Sequence, residues 1–290
     1  KMPPCAGELM CAPSRVTELS LVGNNLIGSI PAEIGDLTLL TVLDLHNNFQ
    51  LSGTIPVEVG ELVNLEYLYL YNGQFTGNIP ASIGNLANLI ELALSSNQLN
   101  GSIPASIGGL TSLTYLELSN NQLSGAIPAE VANLTALKNL YVHNNQLDAV
   151  PASVSGLTSL WFFWVHGNQL NDLPDLTALS ATTVYVHDNN LTFEDVVPNT
   201  SLSTFTYAPQ DKIDAEISAT VIYGTSYPLA VSDQYAGNVY QWYKDNAPIN
   251  GATSFSYDIT DFSEEDEGAY HCTITNPAAP DLTLMRNNIT

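Results

Sequence analysis

The pattern of apolar and polar positions in this chain repeats. From Leu89 the sequence runs LIELALSSNQLNGSIPASIGGLTS, and from Leu113 it runs LTYLELSNNQLSGAIPAEVANLTA, with every Leu, Asn, Gly and Pro in register over 24 residues. Self-similarity at such a period means stacked structural units, each unable to bury its apolar side alone. Within one unit, LxxLxLxx alternates with period two, which predicts a short strand with one buried face. Leu92 and Leu94 point inward, and Glu91, Ala93 and Ser95 point outward. Neighbouring strands then stack into a parallel sheet, and each fully buried Leu contributes about 1.5–3 kcal/mol. The Ile-Pro that follows starts a return segment, because Pro fixes φ and removes a donor.

Aligning on the Asn of LxxLxLxxNxL gives Asn24, Asn48, Asn97, Asn121, Asn145, Asn168 and Asn189, with Gly73 in the third slot. Eight copies follow at intervals of 24, 25, 24, 24, 24, 23 and 21 residues. The Asn side chain has both a donor and an acceptor for the turning backbone, so stacked copies predict an interior amide ladder. Leaving such groups buried and unpaired would cost about 1–3 kcal/mol each. Gly73 lacks that side chain, and a water in its place is the expectation. The extra residue in Asn48-Phe49-Gln50-Leu51 reads as a bulge just after the second strand.

This phrase is the leucine-rich repeat signature, and its GxIPxxIGxL extension resembles the plant-type subclass. The resemblance implies an α/β-type repeat solenoid, mostly β and right-handed, with a parallel sheet on its concave face. It also implies binding through the outward residues of that face. The end of the eighth copy, Asn190 to Asn199 with Phe193, resembles the closing segment of Bacteroidota-type surface proteins of this class. There the Phe would plug the open end of the core, and Tyr207-Ala208-Pro209-Gln210 would be a linker.

From about Asp211 short alternating strands replace the repeats. Trp242 in VYQWYK and the later DEGAYHC resemble an immunoglobulin-like sandwich. That implies Trp242 on one central strand, Tyr270 as the corner tyrosine and Cys272 on the partner strand. The first cysteine of the usual bridge is absent; Leu229 falls at its place, which leaves Cys272 a buried free thiol. The expected organisation is an N-terminal cap at 1–15, eight repeats at 16–199, a linker at 200–210 and an all-β Ig-like sandwich at 211–290.

Composition narrows the function classes. The net charge is −23, with only six basic residues. Nucleic acid and anionic membrane surfaces need basic patches, so neither is an expected partner. No run of about 18 apolar residues is present, so membrane insertion is not expected either. Abundant neutral polar residues suit a secreted or cell-surface protein. No leader segment is visible, which reads as a processed form or a fragment. Of three cysteines, Cys5 and Cys11 precede the first repeat and read as a small disulfide that caps the solenoid end.

Chemistry, if present, lies on the outward strand face. Its aromatics are Tyr67, Tyr69, Tyr71, Tyr115, Tyr141, Phe162, Trp164 and Tyr185. Strands stand about 4.8 Å apart, so Tyr141, Trp164 and Tyr185 form a continuous band that Tyr115 borders. An exposed apolar band of that kind marks a binding surface; the competing reading is that aromatics merely suit strands. His143, His166 and His187 form a second column. It reads as solvated polar surface, with a shared metal or an acid response as alternatives. The acidic run Asp261 to Glu267 matches no calcium-loop spacing and reads as a solvated loop. No nucleophile, metalloprotease or phosphate-loop motif occurs, so no enzyme activity and no cofactor are expected. The expectation is a recognition module that holds a protein or glycan ligand on the aromatic face. A structural segment of a surface fibre that self-associates is the alternative.

Overall fold

The computed structural model describes residues 16–179 and 183–290. The expected Cys5–Cys11 bridge and the 1–15 cap lie outside the described residues, which begin with the first repeat at Val16. Nine short strands pair in parallel in chain order, from Glu18–Ser20 through Val42–Asp44, Tyr67–Tyr69, Glu91–Ala93, Tyr115–Glu117, Asn139–Tyr141, Phe162–Trp164 and Thr183–Tyr185 to Thr204–Thr206. Each strand is one rung. The alternating leucines face inward: Leu43, Leu68, Leu92 and Leu140 are fully buried, and the core runs on without a break through Val184 to Phe193.

A second parallel sheet of six strands, from Ile27–Gly28 to Gln146–Ala149, forms on the return side. Its strands cover the residues between the ladder Asn and the Ile-Pro, where no strand was expected. Pro then caps a 3-10 turn in each of six copies, such as Ala81–Asn85 and Ala105–Gly109. These turns pack closely. A Cβ on Gly84 would lie 2.3 Å from the Ser106 carbonyl oxygen, so at this turn glycine is a packing requirement.

The residue before each ladder Asn turns the chain in the left-handed region. Gly23, Asn47, Asn72, Ser96, Asn120, Asn144, Gly167 and Asp188 all have φ between 53° and 63°. Asn and Gly suit that conformation, which accounts for the Asn-Asn doublets. The ladder itself is regular. Asn97 Nδ2 donates to the carbonyls of Leu70 and Leu94 at 2.9 and 3.1 Å, and its Oδ1 accepts the Phe75 N–H at 3.1 Å. Asn121, Asn145, Asn168 and Asn189 repeat the pattern. Asn24, on the first rung, bonds to the Val22 carbonyl at 3.3 Å, its one side-chain bond among the described residues.

Two expectations need correction. The first concerns Gly73. The N–H that an Asn there would serve is that of Leu51, and the Asn48 carbonyl accepts it at 2.9 Å. The extra residue in the second copy folds back to supply the bond, so no water is needed. The second concerns 200–210. This segment is not a free linker: Thr204–Thr206 pairs in parallel with Thr183–Tyr185. Gln210 then takes the Asn role, with Nε2 donating to the Val186 and Tyr207 carbonyls and Oε1 accepting the Leu191 N–H at 3.2 Å. The longer side chain reaches the same three groups from a displaced turn. Phe193, expected to plug the end, is fully buried, with this ninth rung beyond it.

The C-terminal region is all-β, with a four-stranded antiparallel sheet built on Val239–Lys244 and Tyr270–Thr275, and a pair Tyr227–Ala230 with Ser256–Ile259. Trp242 is fully buried beside Cys272 in the strand register, and Leu229 lies in the other sheet. The Tyr270 hydroxyl donates to the Asp266 carbonyl at 2.6 Å. Cys272 is free and buried, and burial pushes its thiol up to about 11. This region meets the solenoid through the Phe193 N–H, which donates to Asp233 Oδ2 at 3.2 Å.

Candidate functional site

The parallel register lays the outward residues out in three columns. The middle column runs Asp44, Tyr69, Ala93, Glu117, Tyr141, Trp164 and Tyr185, one residue per rung. Chemistry changes along it, and two halves result.

The C-terminal half is aromatic. Tyr141 and Trp164 ring centroids are 4.8 Å apart, and Trp164 and Tyr185 stack at 5.1 Å with planes 17° apart. Phe162 sits 6.4 Å from both Tyr141 and Trp164, and Tyr115 borders the group at 5.6 Å from Tyr141. Asn139 Nδ2 donates to the Tyr141 hydroxyl at 2.7 Å and fixes that ring. The spacing of the strands forces these contacts, since rings on adjacent rungs have nowhere else to go.

Beside this band runs the histidine column. His143 and His166 stack at 4.5 Å, and His166 and His187 at 4.4 Å. Burial, with His143 and His187 adding to it, pushes His166 down to about 4; burial also lowers His143. The Nδ1 atoms of His143 and His166 and the Trp164 Nε1 are buried without a partner. No group of three His, Cys, Asp or Glu that could hold a metal ion occurs among the described residues.

The N-terminal half is a hollow of about 380 Å³, lined by Asp44, His46, Tyr69, Tyr71, Glu91, Ala93, Ser95, Tyr115 and Glu117. Its floor is low because the fourth rung presents Ala93 and Ser95 between tyrosine-bearing rungs. Ala93 was expected to point outward into solvent, but it is buried, as is the neighbouring Ser119. Tyr69 donates to Glu91 Oε2 at 2.7 Å, and Tyr115 to Glu117 Oε2 at 3.4 Å. Glu117 Oε1 also accepts the Ser119 N–H at 3.0 Å. Burial raises the Glu117 carboxyl and both tyrosine hydroxyls. His46 pairs with Asp44 at 2.5 Å and stacks on Tyr71 at 4.3 Å. Tyr67 lies 6.2 Å from Tyr69 at the edge.

The structure thus brings Tyr141, Phe162, Trp164, Tyr185 and the three histidines into one patch, and places Tyr67, Tyr69 and Tyr71 apart, around the hollow. Asp44, His46, Glu91 and Glu117 were not anticipated as site residues. Their signal was present as the small Ala93 and Ser95 between bulky rungs.

Comparison with known proteins agrees with this architecture. Family models described as leucine-rich repeat match residues 15–37 and 64–123, and one described as two copies of the repeat matches 111–178. No curated protein matches the chain. Among solved structures, the Arabidopsis thaliana GASSHO1/SCHENGEN3 receptor kinase ectodomain, in complex with CASPARIAN STRIP INTEGRITY FACTOR 2, is similar with TM-score 0.63 and 30% identity. That match covers 70% of this chain and 25% of that one. The plant peptide hormone receptor RGFR1 in complex with RGF2 is similar with TM-score 0.56 and 28% identity, over 70% of this chain and 37% of that one. A Leptospira interrogans leucine-rich repeat protein is similar with TM-score 0.54 and 32% identity, over 66% of this chain and 48% of that one. The chain therefore spans a quarter to about half of the length of these structures. Repeat pattern, parallel rungs and family matches agree that this chain is a leucine-rich repeat solenoid followed by an all-β C-terminal region.

Proposed function

We propose that the chain is a binding protein of the cell surface or secreted milieu, with no catalytic role, that recognises a protein ligand on its concave face. The observation that carries this reading is the contiguous cluster of Tyr141, Phe162, Trp164 and Tyr185, rings in contact across three rungs and only half-buried. Aromatics of this kind supply the anchoring area of protein interfaces. Similar receptors solved in complex with CASPARIAN STRIP INTEGRITY FACTOR 2 and with RGF2 add support. The C-terminal region, with Trp242 packed beside Cys272 and the Tyr270 corner, fits an Ig-like spacer. The test is a binding screen of the full chain against surface proteins and glycans, repeated with Tyr141→Ala/Trp164→Ala. The hit is expected to weaken by at least about tenfold on loss of two anchor residues. Undiminished binding would overturn the reading, and a hit among glycans alone would replace its ligand class.

A further inference from the structure

The two halves of the concave face differ in charge as well as shape, and the difference specifies the ligand. None of the three outward columns contains Lys or Arg, in a chain of net charge −23. Glu91 and Glu117 take part in no salt bridge among the described residues, whereas Asp44 has His46. Both carboxylates are held in place by tyrosine hydroxyls, and the tyrosine rings wall the hollow between them. Aromatic faces and carboxylates together attract an ammonium or guanidinium group from the side and from below. The hollow holds about 380 Å³, ample for a whole lysine or arginine side chain.

The second half offers no charge, only ring surface. In the middle column Ala93 is followed by Glu117, Tyr141 and Trp164 on successive rungs. Three strand spacings make about 14 Å, which an extended peptide crosses in about four residues.

We propose that the concave face takes an extended peptide segment lying across the rungs, with a lysine or arginine seated between Glu91 and Glu117. An aromatic or bulky aliphatic residue about four positions away packs on Trp164. This rests on the concave face being the binding face, and adds to it the charge, spacing and orientation of the ligand. The cation faces the N-terminal rungs and the apolar group the C-terminal ones, so the ligand has one direction.

The probes are the N-acetylated, C-amidated peptides Arg-Gly-Gly-Gly-Trp, Gly-Gly-Gly-Gly-Trp and Glu-Gly-Gly-Gly-Trp, blocked so that only the first side chain changes the charge, titrated into the full chain and followed by calorimetry. The arginine peptide is expected to bind about tenfold tighter than the glycine peptide, and the glutamate peptide weaker than either. Raising NaCl from about 0.02 to about 0.3 M should remove most of the arginine advantage. The isosteric pair Glu91→Gln/Glu117→Gln keeps the acceptors for Tyr69, Tyr115 and Ser119, so the fold should stand. It should abolish the arginine advantage while leaving the glycine peptide unchanged. Equal affinity of the three peptides, or an arginine advantage that survives the Gln pair, overturns this inference. So does a failure of the arginine peptide to bind while a screened partner still requires Tyr141 and Trp164, a result that leaves the broader reading standing. Binding of the glycine peptide that ignores Tyr141→Ala/Trp164→Ala instead removes the broader reading itself.

Discussion

Replacing Asn145 with Ala tests how the amide ladder stabilises the solenoid. Asn145 is buried and makes four bonds: its Nδ2 donates to the carbonyls of Leu118, Val142 and His143, and its Oδ1 accepts the Leu123 N–H at 3.0 Å. Counting all four as lost would predict a cost of about 5 kcal/mol or more. The neighbouring rungs argue for less. Leu118 also receives Asn121 Nδ2 at 3.1 Å, Val142 also receives Asn168 Nδ2 at 3.1 Å, and His143 receives the Asn120 N–H at 3.0 Å. Only the Leu123 N–H loses its sole partner. One orphaned buried donor plus the lost amide packing gives about 2–3 kcal/mol. For a repeat region of this size that lowers the thermal midpoint by about 4–10 °C. Urea unfolding followed by circular dichroism would measure it. Asn145→Asp should cost more than Asn145→Ala at pH 7, since it retains the acceptor but sets a carboxylate against three carbonyls. A loss above about 5 kcal/mol for Ala, or an Asp variant as stable as the parent, would refute the argument that the carbonyls are doubly served.

Other consequences follow from particular contacts. Gly84→Ala forces a Cβ into the Ser106 backbone and should destabilise by about 1–3 kcal/mol in the same urea assay. The histidine column is expected to lose stability in acid. His166 is depressed to about 4 in the fold from its ordinary 6.5, so the unfolded chain takes up its proton first. Its contribution is therefore full above pH ~6.5 and lost as pH falls toward ~4. Proton NMR should find His166 titrating well below the ordinary imidazole value of about 6.5, and His166→Gln should flatten the stability profile over that window. The Cys272 thiol, buried and raised to about 11, should resist iodoacetamide in the native protein and react once urea unfolds it, as peptide mass mapping would reveal. A chain cut after Asn199 should be less soluble than one cut after Gln210, since it bares the Thr183–Tyr185 strand edge; light scattering decides between them.

Much of the solenoid was legible because its signal is repeated. Leu92 and Leu94 recur as Leu116 and Leu118 and again as Leu140 and Val142, and all are buried. The second sheet was not legible, since its strands Gln74–Gly77 and Gln98–Gly101 hold a single inward side chain and end in glycine. The ninth rung was missed for a different reason. Leu202, Phe205, Tyr207 and Gln210 keep the spacing of LxxLxLxxN, but aromatics replace two leucines and Gln replaces Asn. The eye follows residue identity, while the fold requires only apolar bulk and an amide that reaches. At the concave face, the aromatic band could be read from column positions alone. The hollow could not, because it is defined by what Ala93 and Ser95 leave unfilled, and by carboxylates whose neighbours only the register supplies.

The ninth rung also changes how the two halves of the molecule are coupled mechanically. The Asp211 N–H still bonds to the Asn189 carbonyl at 2.6 Å, and the Ile213 N–H already bonds to the Met285 carbonyl at 3.0 Å. Only Lys212 separates the last anchorage in one half from the first in the other. A pull on the C-terminal strands has almost no slack to draw out, so it loads the Gln210 amide and the end rung directly. Under flow or traction, the repeats would peel from that terminus inward, like a zip opened from its tab.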